Sequence, residues 1–331
     1  MELKWGLIGC GDVAEKKGGP ALCQADGSTL VSVMSRSESK GSDFARRHGA
    51  DRVYTSVEDL LSDEEANAIY VATPPHLHAE QTISAAEAGK HVLCEKPMAI
   101  NVDECRNMVE AAAANDVQLM IAYYRRRFPA VVQMKKIIDD GLIGSPVLMR
   151  TQNAGRYSPS SNPNSWRTDP SIAGGGFLWD IGSHRIDLLL HLMGDISEVS
   201  AIVETMTHDI PVEDSASLLV HFESGAHGLG LFHWNIPRGA DEIEIGGTEG
   251  RIVCDMSTGN VRLITTSSQE EWNLPPAGPT HLAIVEDLRT AIEEERTNCA
   301  AGSEGLKTNA LLAASERSSK EKRFVQLAEI L

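Results

Sequence analysis

The sequence predicts an α/β protein in two parts: a doubly wound parallel sheet first, then an α+β domain built on an open, mostly antiparallel sheet. Three observations carry this. From Lys4 to Ala122 short apolar runs alternate with amphipathic stretches long enough for helices, and strands at that spacing pair in parallel through right-handed crossovers. From Glu198 to Thr266 strand-like runs follow one another with only turn signals between them, the pattern of antiparallel pairing. The 331 residues amount to about two domains of roughly 150 residues. The change of rhythm places the domains at 1–122 and 123–331.

KWGLIG opens the first domain and a helix starts near Asp12. LVSVMS leads to a helix over Glu38–His48, AIYVATP to one over Ala79–Ala88, HVLCEKP to one over Val102–Ala114, and VQLMIAYY closes the set. Beyond Tyr124 a helix over Ala130–Asp140 stops at Gly141, where a C-cap glycine is expected. PVLMRTQ is a strand, and the loop rich in Ser, Pro and Asn from Ser158 to Pro170 is expected to cover something. The antiparallel run comprises VSAIVETM, ASLLVHFE, HGLGLFHWN, DEIEIGG, GRIVCD and NVRLITT, with turns at ESGAH and GTEG. Helices over His281–Arg296 and Gly305–Leu331 complete the chain.

A net charge of −17 repels phosphate backbones and anionic membranes, which argues against nucleic acid as a partner. Aromatic residues are only 5%, too few for a base-stacking platform. The six cysteines are scattered without a C-x-x-C pair and read as reduced, mostly buried small hydrophobes. No apolar run approaches the ~18 residues of a membrane helix, so no membrane contact and a cytoplasmic location are expected.

GLIGCGDVA places Gly9, Gly11 and Ala14 as G-x-G-x-x-A, after the first strand and at the start of the first helix. Gly9 permits the tight turn, Gly11 lets the backbone approach a pyrophosphate, and Ala14 allows close helix packing. The anion would sit on the N–H groups opening the helix, at Asp12 and Val13. This context makes the first domain a Rossmann dinucleotide-binding unit. The second strand ends Met34-Ser35-Arg36-Ser37, with Glu38 the first carboxylate after it. Arg36 and Ser35 suit the 2′-phosphate of NADP, where an NAD site would carry an acid; NAD stays possible if Arg36 stacks on the adenine.

HVLCEKP puts Glu95, Lys96 and Pro97 at the carboxyl edge of the sheet, where open α/β sheets bind ligands. A lysine there, desolvated and beside a positively charged nicotinamide, gives up its proton more easily and can serve as acid or base. Spacing alone favours a surface lysine capping the next helix.

The combination resembles one family. G-x-G-x-x-A, ATPPHLH at Ala72–His78, EKP at Glu95–Pro97, YRRRF after the sixth strand and GGG-x-x-x-D-x-G-x-H-x-x-D at Gly174–Asp187 are similar to the glucose-fructose oxidoreductase and inositol dehydrogenase (Gfo/Idh/MocA) family, over essentially the whole chain. HVLCEKP, SVMS at Ser32–Ser35 and Trp166-Arg167 also resemble its 1,5-anhydro-D-fructose reductase branch, which uses NADPH. Pro75 departs from the asparagine common in the wider family. The resemblance implies a carbohydrate substrate, and dinucleotide contacts at Thr73, Pro74, His78, Glu95, Lys96 and Arg125. It also implies His184 as proton relay, Asp180 as its polar partner at the substrate and Lys96 beside the nicotinamide.

Asp180 and His184 are four apart and so share a helix face, with Asp187 and His191 continuing round. A metal site is the competing reading; one helix face seldom completes one and H-E-x-x-H is absent, so no metal is expected. Asp187 and His191 read as structural. Without the glycines and the EKP segment, His184 would read as a buried core histidine. Tyr124 and Arg125 are expected to line the cleft, and Trp166 to cover a sugar ring; Arg126 and Arg127 either join them or are surface charges.

The expected function is NADP(H)-dependent hydride transfer at a secondary alcohol or keto group of a sugar, anhydrosugar or polyol. Two alternatives stay open: an NAD-holding glycosidase that oxidises transiently, and a non-catalytic dinucleotide-sensing regulator. The uncovered sheet face of the second domain predicts a homo-oligomer, dimer or tetramer.

Overall fold

The computed structural model describes residues 1–157, 165–276 and 278–331. The chain forms two compact units, Met1–Tyr124 with Ala277–Leu306, and Arg125–Pro276 with Lys307–Leu331.

The first unit is a six-stranded sheet of β1 (Leu3–Ile8), β2 (Ser28–Met34), β3 (Arg52–Tyr54), β4 (Ala68–Val71), β5 (His91–Cys94) and β6 (Leu119–Ile121). Their order is β3-β2-β1-β4-β5-β6 and every pairing is parallel. The strands carry side chains buried on both faces, as a parallel sheet covered by helices requires; β4 is buried at all positions. The order reverses between β1 and β4, the switch point at which such sheets hold ligands. β3 escaped the sequence reading because three half-buried residues show no periodicity.

Helix Glu38–His48 starts where Ser37 Oγ accepts the Lys40 N–H and ends at Gly49, whose φ of +77° is the left-handed stop. Helix Val102–Ala114 is capped by Asn101, which accepts the Glu104 N–H at 2.8 Å. The helix expected from Asp12 starts there, passes through a π-helical turn, Ala14–Gly18, and continues as Gly19–Gln24. The returning stretch covers the sheet edge: Ala300 O accepts the Ile121 N–H at 2.8 Å, and Asn298 Nδ2 donates to Leu119 O at 3.1 Å. An edge strand given partners in this way presents no template for a foreign strand.

The second unit is built on β7 (Pro146–Ala154), β8 (Ile196–Glu204), β9 (Ser215–Phe222), β10 (His227–His233), β11 (Asp241–Gly247), β12 (Gly250–Asp255), β13 (Asn260–Thr265), β14 (Gln269–Asn273) and β15 (Val325–Gln326). The order is β14-β13-β12-β11-β7-β10-β9-β8-β15. Every pairing is antiparallel except β7 with β10. The expected open, mostly antiparallel sheet is present. β7 is separated from its parallel partner β10 by helix Ser183–Met193 and by β8 and β9, a connection long enough to return in parallel. The inward face packs Met149, Phe232, Ile243 and Ile252 against Ile186, Leu189 and Leu190 of helix Ser183–Met193 and Met134 of helix Pro129–Asp139.

Two expectations need correcting. The last helix is Gly302–Glu321, not Gly305–Leu331. Lys322 turns the chain at φ +56°, and Val325, fully buried, pairs with β8 as part of a two-residue edge strand too short to show a period. The charged β14 was missed because Gln269–Glu271 is exposed and reads as loop. Of the loop expected over Ser158–Pro170, residues 158–164 lie outside the described residues; its end forms the 3-10 turn Trp166–Thr168, with helix Pro170–Ala173 following. Among the described residues no helix is long and apolar enough to cross a membrane, and none of the six cysteines forms a disulfide.

Candidate active site

The first unit's candidate residues start from a backbone requirement. Gly9 follows β1 at φ +99°, and a Cβ there would lie 2.9 Å from Ala72 O, so no other residue fits without strain. The Gly9 N–H donates to Met34 O at 3.0 Å, tying the turn to the end of β2. Gly11 is the opposite case: a Cβ there would meet nothing within 4 Å. Its open side is the cradle a pyrophosphate needs, and the helical ladder begins there with Glu15 N–H donating to Gly11 O.

A cavity of about 370 Å³ opens at the carboxyl ends of β1, β2 and β4. Gly9, Gly11, Ser35, Arg36, Thr73 and Pro74, all expected at the dinucleotide, line it together. Asp12 is exposed and paired with Lys16 at 2.6 Å; Val13 is half-buried, and neither lines the cavity. Ser37, Lys40 and Gln81 line it as well and were missed. The signal for Lys40 was available, since it lies in the first turn of the helix that Ser37 caps. Arg36 and Lys40 are exposed and have no ion-pair partner among the described residues, whereas Arg46, Arg47 and Arg52 all hold carboxylates. Glu38 is not part of the lining.

His78 is fully buried, its Nε2 2.8 Å from Thr73 O and its Nδ1 3.0 Å from Pro97 O. It braces the Thr73 turn against the EKP segment, and burial lowers its pKa. Glu95 is also buried. Its Oε1 accepts the Tyr70 hydroxyl and His281 Nε2, both at 2.7 Å, and its Oε2 accepts the Lys96 N–H at 3.3 Å. Burial pushes this carboxyl up, but the His281 and Tyr70 donors and the Lys96 charge outweigh it and hold the pKa at about 2. Lys96 itself is half-buried at the end of β5. Tyr124 is 5% exposed, its hydroxyl accepting from Lys17 Nζ at 3.1 Å and its ring 4.9 Å from that of His281. His281 was not singled out in the sequence; nothing local marks a histidine whose partner lies 186 residues away.

The second unit holds the other candidates. Asp180 lies in a π-helical turn, Leu178–Gly182, that runs into helix Ser183–Met193, so the four-residue spacing to His184 crosses a widened turn. Asp180 is half-buried, with Oδ2 3.6 Å from Arg167 Nε, and the Arg167 guanidinium lies 4.5 Å from the Trp166 ring centre. His184 is 2% exposed. Asp187 is fully buried and held by Arg126 Nη2 at 2.7 Å and Nε at 2.9 Å. Arg126 is therefore a structural ion-pair partner and only Arg127 is an exposed charge. Arg125 lies 3.6 Å from Asp241, which also pairs with the buried Arg185, and it is not among the residues lining the dinucleotide cavity. Burial, and then Arg125, lower the Arg185 pKa to about 10. Among the described residues no group of three or more His, Cys, Asp or Glu side chains is placed to hold a metal ion.

The chain is 36% identical to an oxidoreductase of Formosa agariphila over 280 residues, covering 82% of this chain and 85% of that one. Residues 3–123 match the model of the oxidoreductase family with an NAD-binding Rossmann fold, and residues 131–253 that of the Gfo/Idh/MocA C-terminal domain. The chain belongs to the Gfo/Idh/MocA family. It is an NAD(P)-dependent oxidoreductase acting on CH–OH groups, and its relatives bear the names of dehydrogenases and reductases. A 1,5-anhydro-D-fructose reductase of Ensifer adhaerens is 33% identical over 312 residues, 92% of each chain. A levoglucosan dehydrogenase solved in complex with NADH superposes with a TM-score of 0.91 at 27% identity, covering 99% of each chain.

The Glu95 carboxylate makes acid stability testable. Its pKa lies below the ordinary 4.5, so its contribution is complete above 4.5 and is lost as pH falls towards about 2. In urea denaturation, Glu95→Gln is expected to be less stable than wild type at neutral pH, with the difference shrinking between pH 4.5 and 2; a pH-independent difference would contradict the ionised assignment.

Proposed function

We propose that this enzyme is NADP(H)-dependent, that it acts on a secondary alcohol or keto group of a sugar, anhydrosugar or polyol, and that it works in the cytoplasm. The observation that carries the cofactor choice is the pair of unpartnered cations, Arg36 and Lys40, on the wall of the cavity that begins at Gly9 and Gly11. In a chain of net charge −17, two cations left without carboxylates on one cavity wall suit a phosphate dianion. Arg36 can grip it in a fork, Lys40 adds a point charge, and the Ser35 and Ser37 hydroxyls stand beside them. An NAD site would want an acid on this wall, and none lines it.

Gly9, Gly11 and the N–H groups of Asp12 and Val13 would hold the pyrophosphate, Thr73 and Pro74 the wall opposite. When bound, the nicotinamide supplies the hydride acceptor or donor. The chain's own task is then the proton. Lys96 Nζ and an imidazole nitrogen of His184 are the groups assigned to take it from the reacting hydroxyl or return it to the carbonyl oxygen. Asp180 orients the hydroxyl, and Trp166 offers its ring face to the sugar. Tyr124, its hydroxyl already held by Lys17, supports the site by packing on His281. The substrate class rests on the names of the relatives, which include a 1,5-anhydro-D-fructose reductase and a levoglucosan dehydrogenase.

The second unit's sheet also supports self-association. Leu148, Ile202, Leu219 and Leu229 are 37–57% exposed on β7 to β10, and Leu219 pairs directly with Leu229. An apolar face of this kind favours a homo-oligomer, dimer or tetramer.

Fluorescence titration is expected to show NADPH binding tighter than NADH. Arg36→Ala and Lys40→Ala should each weaken NADPH by about tenfold, the equivalent of ~1.4 kcal/mol, with NADH changed by less than about twofold. Equal losses for both nucleotides would overturn the 2′-phosphate assignment. Lys96→Ala and His184→Ala should each lower turnover, followed at the nicotinamide absorbance on a panel of sugars and ketosugars, by on the order of 10²; near wild-type rates in both would remove them from the mechanism. Light scattering should give a mass that is a multiple of 35.8 kDa, falling to the monomer in Leu219→Glu, and a wild-type monomer would refute the interface.

A further inference from the structure

The helix that carries Asp180 and His184 has an unusual beginning. A helix start leaves its first N–H groups without partners in the helix itself, and no local side chain caps this one. Its donors are taken instead by a single residue from another element. Glu213 Oε2 accepts the Gly176 N–H at 2.7 Å, Glu213 O accepts the Phe177 N–H at 3.1 Å, and Glu213 Oε1 accepts the Leu178 N–H at 2.9 Å. Three successive N–H groups thus converge on one buried glutamate, itself 8% exposed.

The glycines fit this docking. A Cβ on Gly176 would lie 2.0 Å from Glu213 O, and one on Gly175 would lie 2.1 Å from the Trp179 ring. Trp179 is in turn anchored by its Nε1, which donates to Glu316 Oε1 at 2.6 Å. The turn is pressed against the Glu213 backbone carbonyl and the Trp179 ring, which leaves no space for a side chain at Gly175 or Gly176. Two residues after Leu178 comes Asp180, whose N–H donates to Gly176 O at 2.9 Å, so the turn's position is transmitted directly to the side chains that follow.

We propose that Glu213 is a positioning residue for this enzyme: by capping the glycine turn at Gly176, Phe177 and Leu178 in its ionised form, it sets where Asp180 and His184 stand. The proposal rests on the assignment of those two residues to the substrate. An ionised carboxylate accepts both side-chain N–H bonds, whereas a protonated one turns a hydroxyl towards one of them and gives up a bond. Burial, with the Glu316 charge adding to it, pushes the Glu213 pKa up to about 7 against the pull of the backbone N–H groups. The groups that bear on it are Glu316 from helix Gly302–Glu321 and the N–H groups of the turn. The cap therefore loosens as pH falls below about 7.

Hydrogen exchange of the Gly176 and Leu178 amides in the dinucleotide-free protein reads the cap without any turnover. In wild type the protection of these amides, corrected for intrinsic rate, should fall as pH drops through about 7, while amides of β9 and β10 stay protected. Glu213→Gln keeps the volume but sets an NH₂ against one donor. It should lose about tenfold in protection at both amides at every pH and about tenfold in kcat, with dinucleotide affinity within about twofold of wild type. Glu316→Gln keeps an acceptor for Trp179 and removes the charge facing Glu213; the midpoint of protection and the acid limb of kcat should both move to lower pH. The shift of the kcat limb in step with protection is one that a purely structural glutamate would not give, and it carries the test if Glu213→Gln fails to fold. Wild-type protection in Glu213→Gln, or an unmoved midpoint in Glu316→Gln, would overturn the proposal. Should no sugar be turned over, the exchange measurements still decide whether Glu213 is the cap, and the activity assignment fails separately.

Discussion

A carboxylate taken out of water costs several kcal/mol unless donors replace the lost hydration, and the first unit is organised round one such group. Glu95 collects the Tyr70 hydroxyl from β4, His281 Nε2 from the returning stretch and the N–H of Lys96. The first two tie distant parts of the chain to the end of β5. His281 stacks against Tyr124, and Tyr124 takes Lys17 from the helix that opens at the glycine turn. One satisfied charge thereby links the nucleotide turn, the EKP segment and the chain that comes back from the second unit.

Close backbone approach is the second constraint. Gly9 must be glycine because Ala72 O lies where its Cβ would be, and Gly18 because the Tyr70 ring does, at 2.0 Å. Gly176 meets Glu213 O in the same way. Gly11 has the opposite justification, open space, which is what a bound pyrophosphate would fill. At these positions glycine serves two ends: Gly9, Gly18 and Gly176 shape the protein, and Gly11, which lines the cavity, leaves room for a ligand.

Charge follows a similar division. Most arginines are engaged by carboxylates, some of them buried: Arg126 holds Asp187, and Arg185 and Arg125 share Asp241. These pairs fix helix Ser183–Met193, and removing one partner would strand a charge in the interior. Arg36 and Lys40 remain uncommitted on the wall of the nucleotide cavity. A strongly acidic surface and a locally basic cavity coexist because a few cations close to a ligand outweigh many screened charges far from it.

The fold class, the nucleotide turn and the family are all legible in the amino-acid sequence. Each of these is written in short-range pattern: strand and helix periods, G-x-G-x-x-A after a strand, a glycine run before D-x-x-x-H. The sequence also marked Ser35, Arg36, Thr73 and Pro74, which the structure gathers round one cavity. It did not reveal β3 or β15, which are too short to have a period; Lys40 was legible only through the Ser37 cap that places it in the first turn of its helix. What His78, Glu95, Arg126 and Tyr124 touch, the return of Ala277–Leu306 to the first unit and the capping by Glu213 of a helix lying 35 residues earlier are visible in the folded chain alone. The reason is common to all of them: a buried polar group is defined by its partner, and its partner is chosen by the fold and not by its neighbours in the chain.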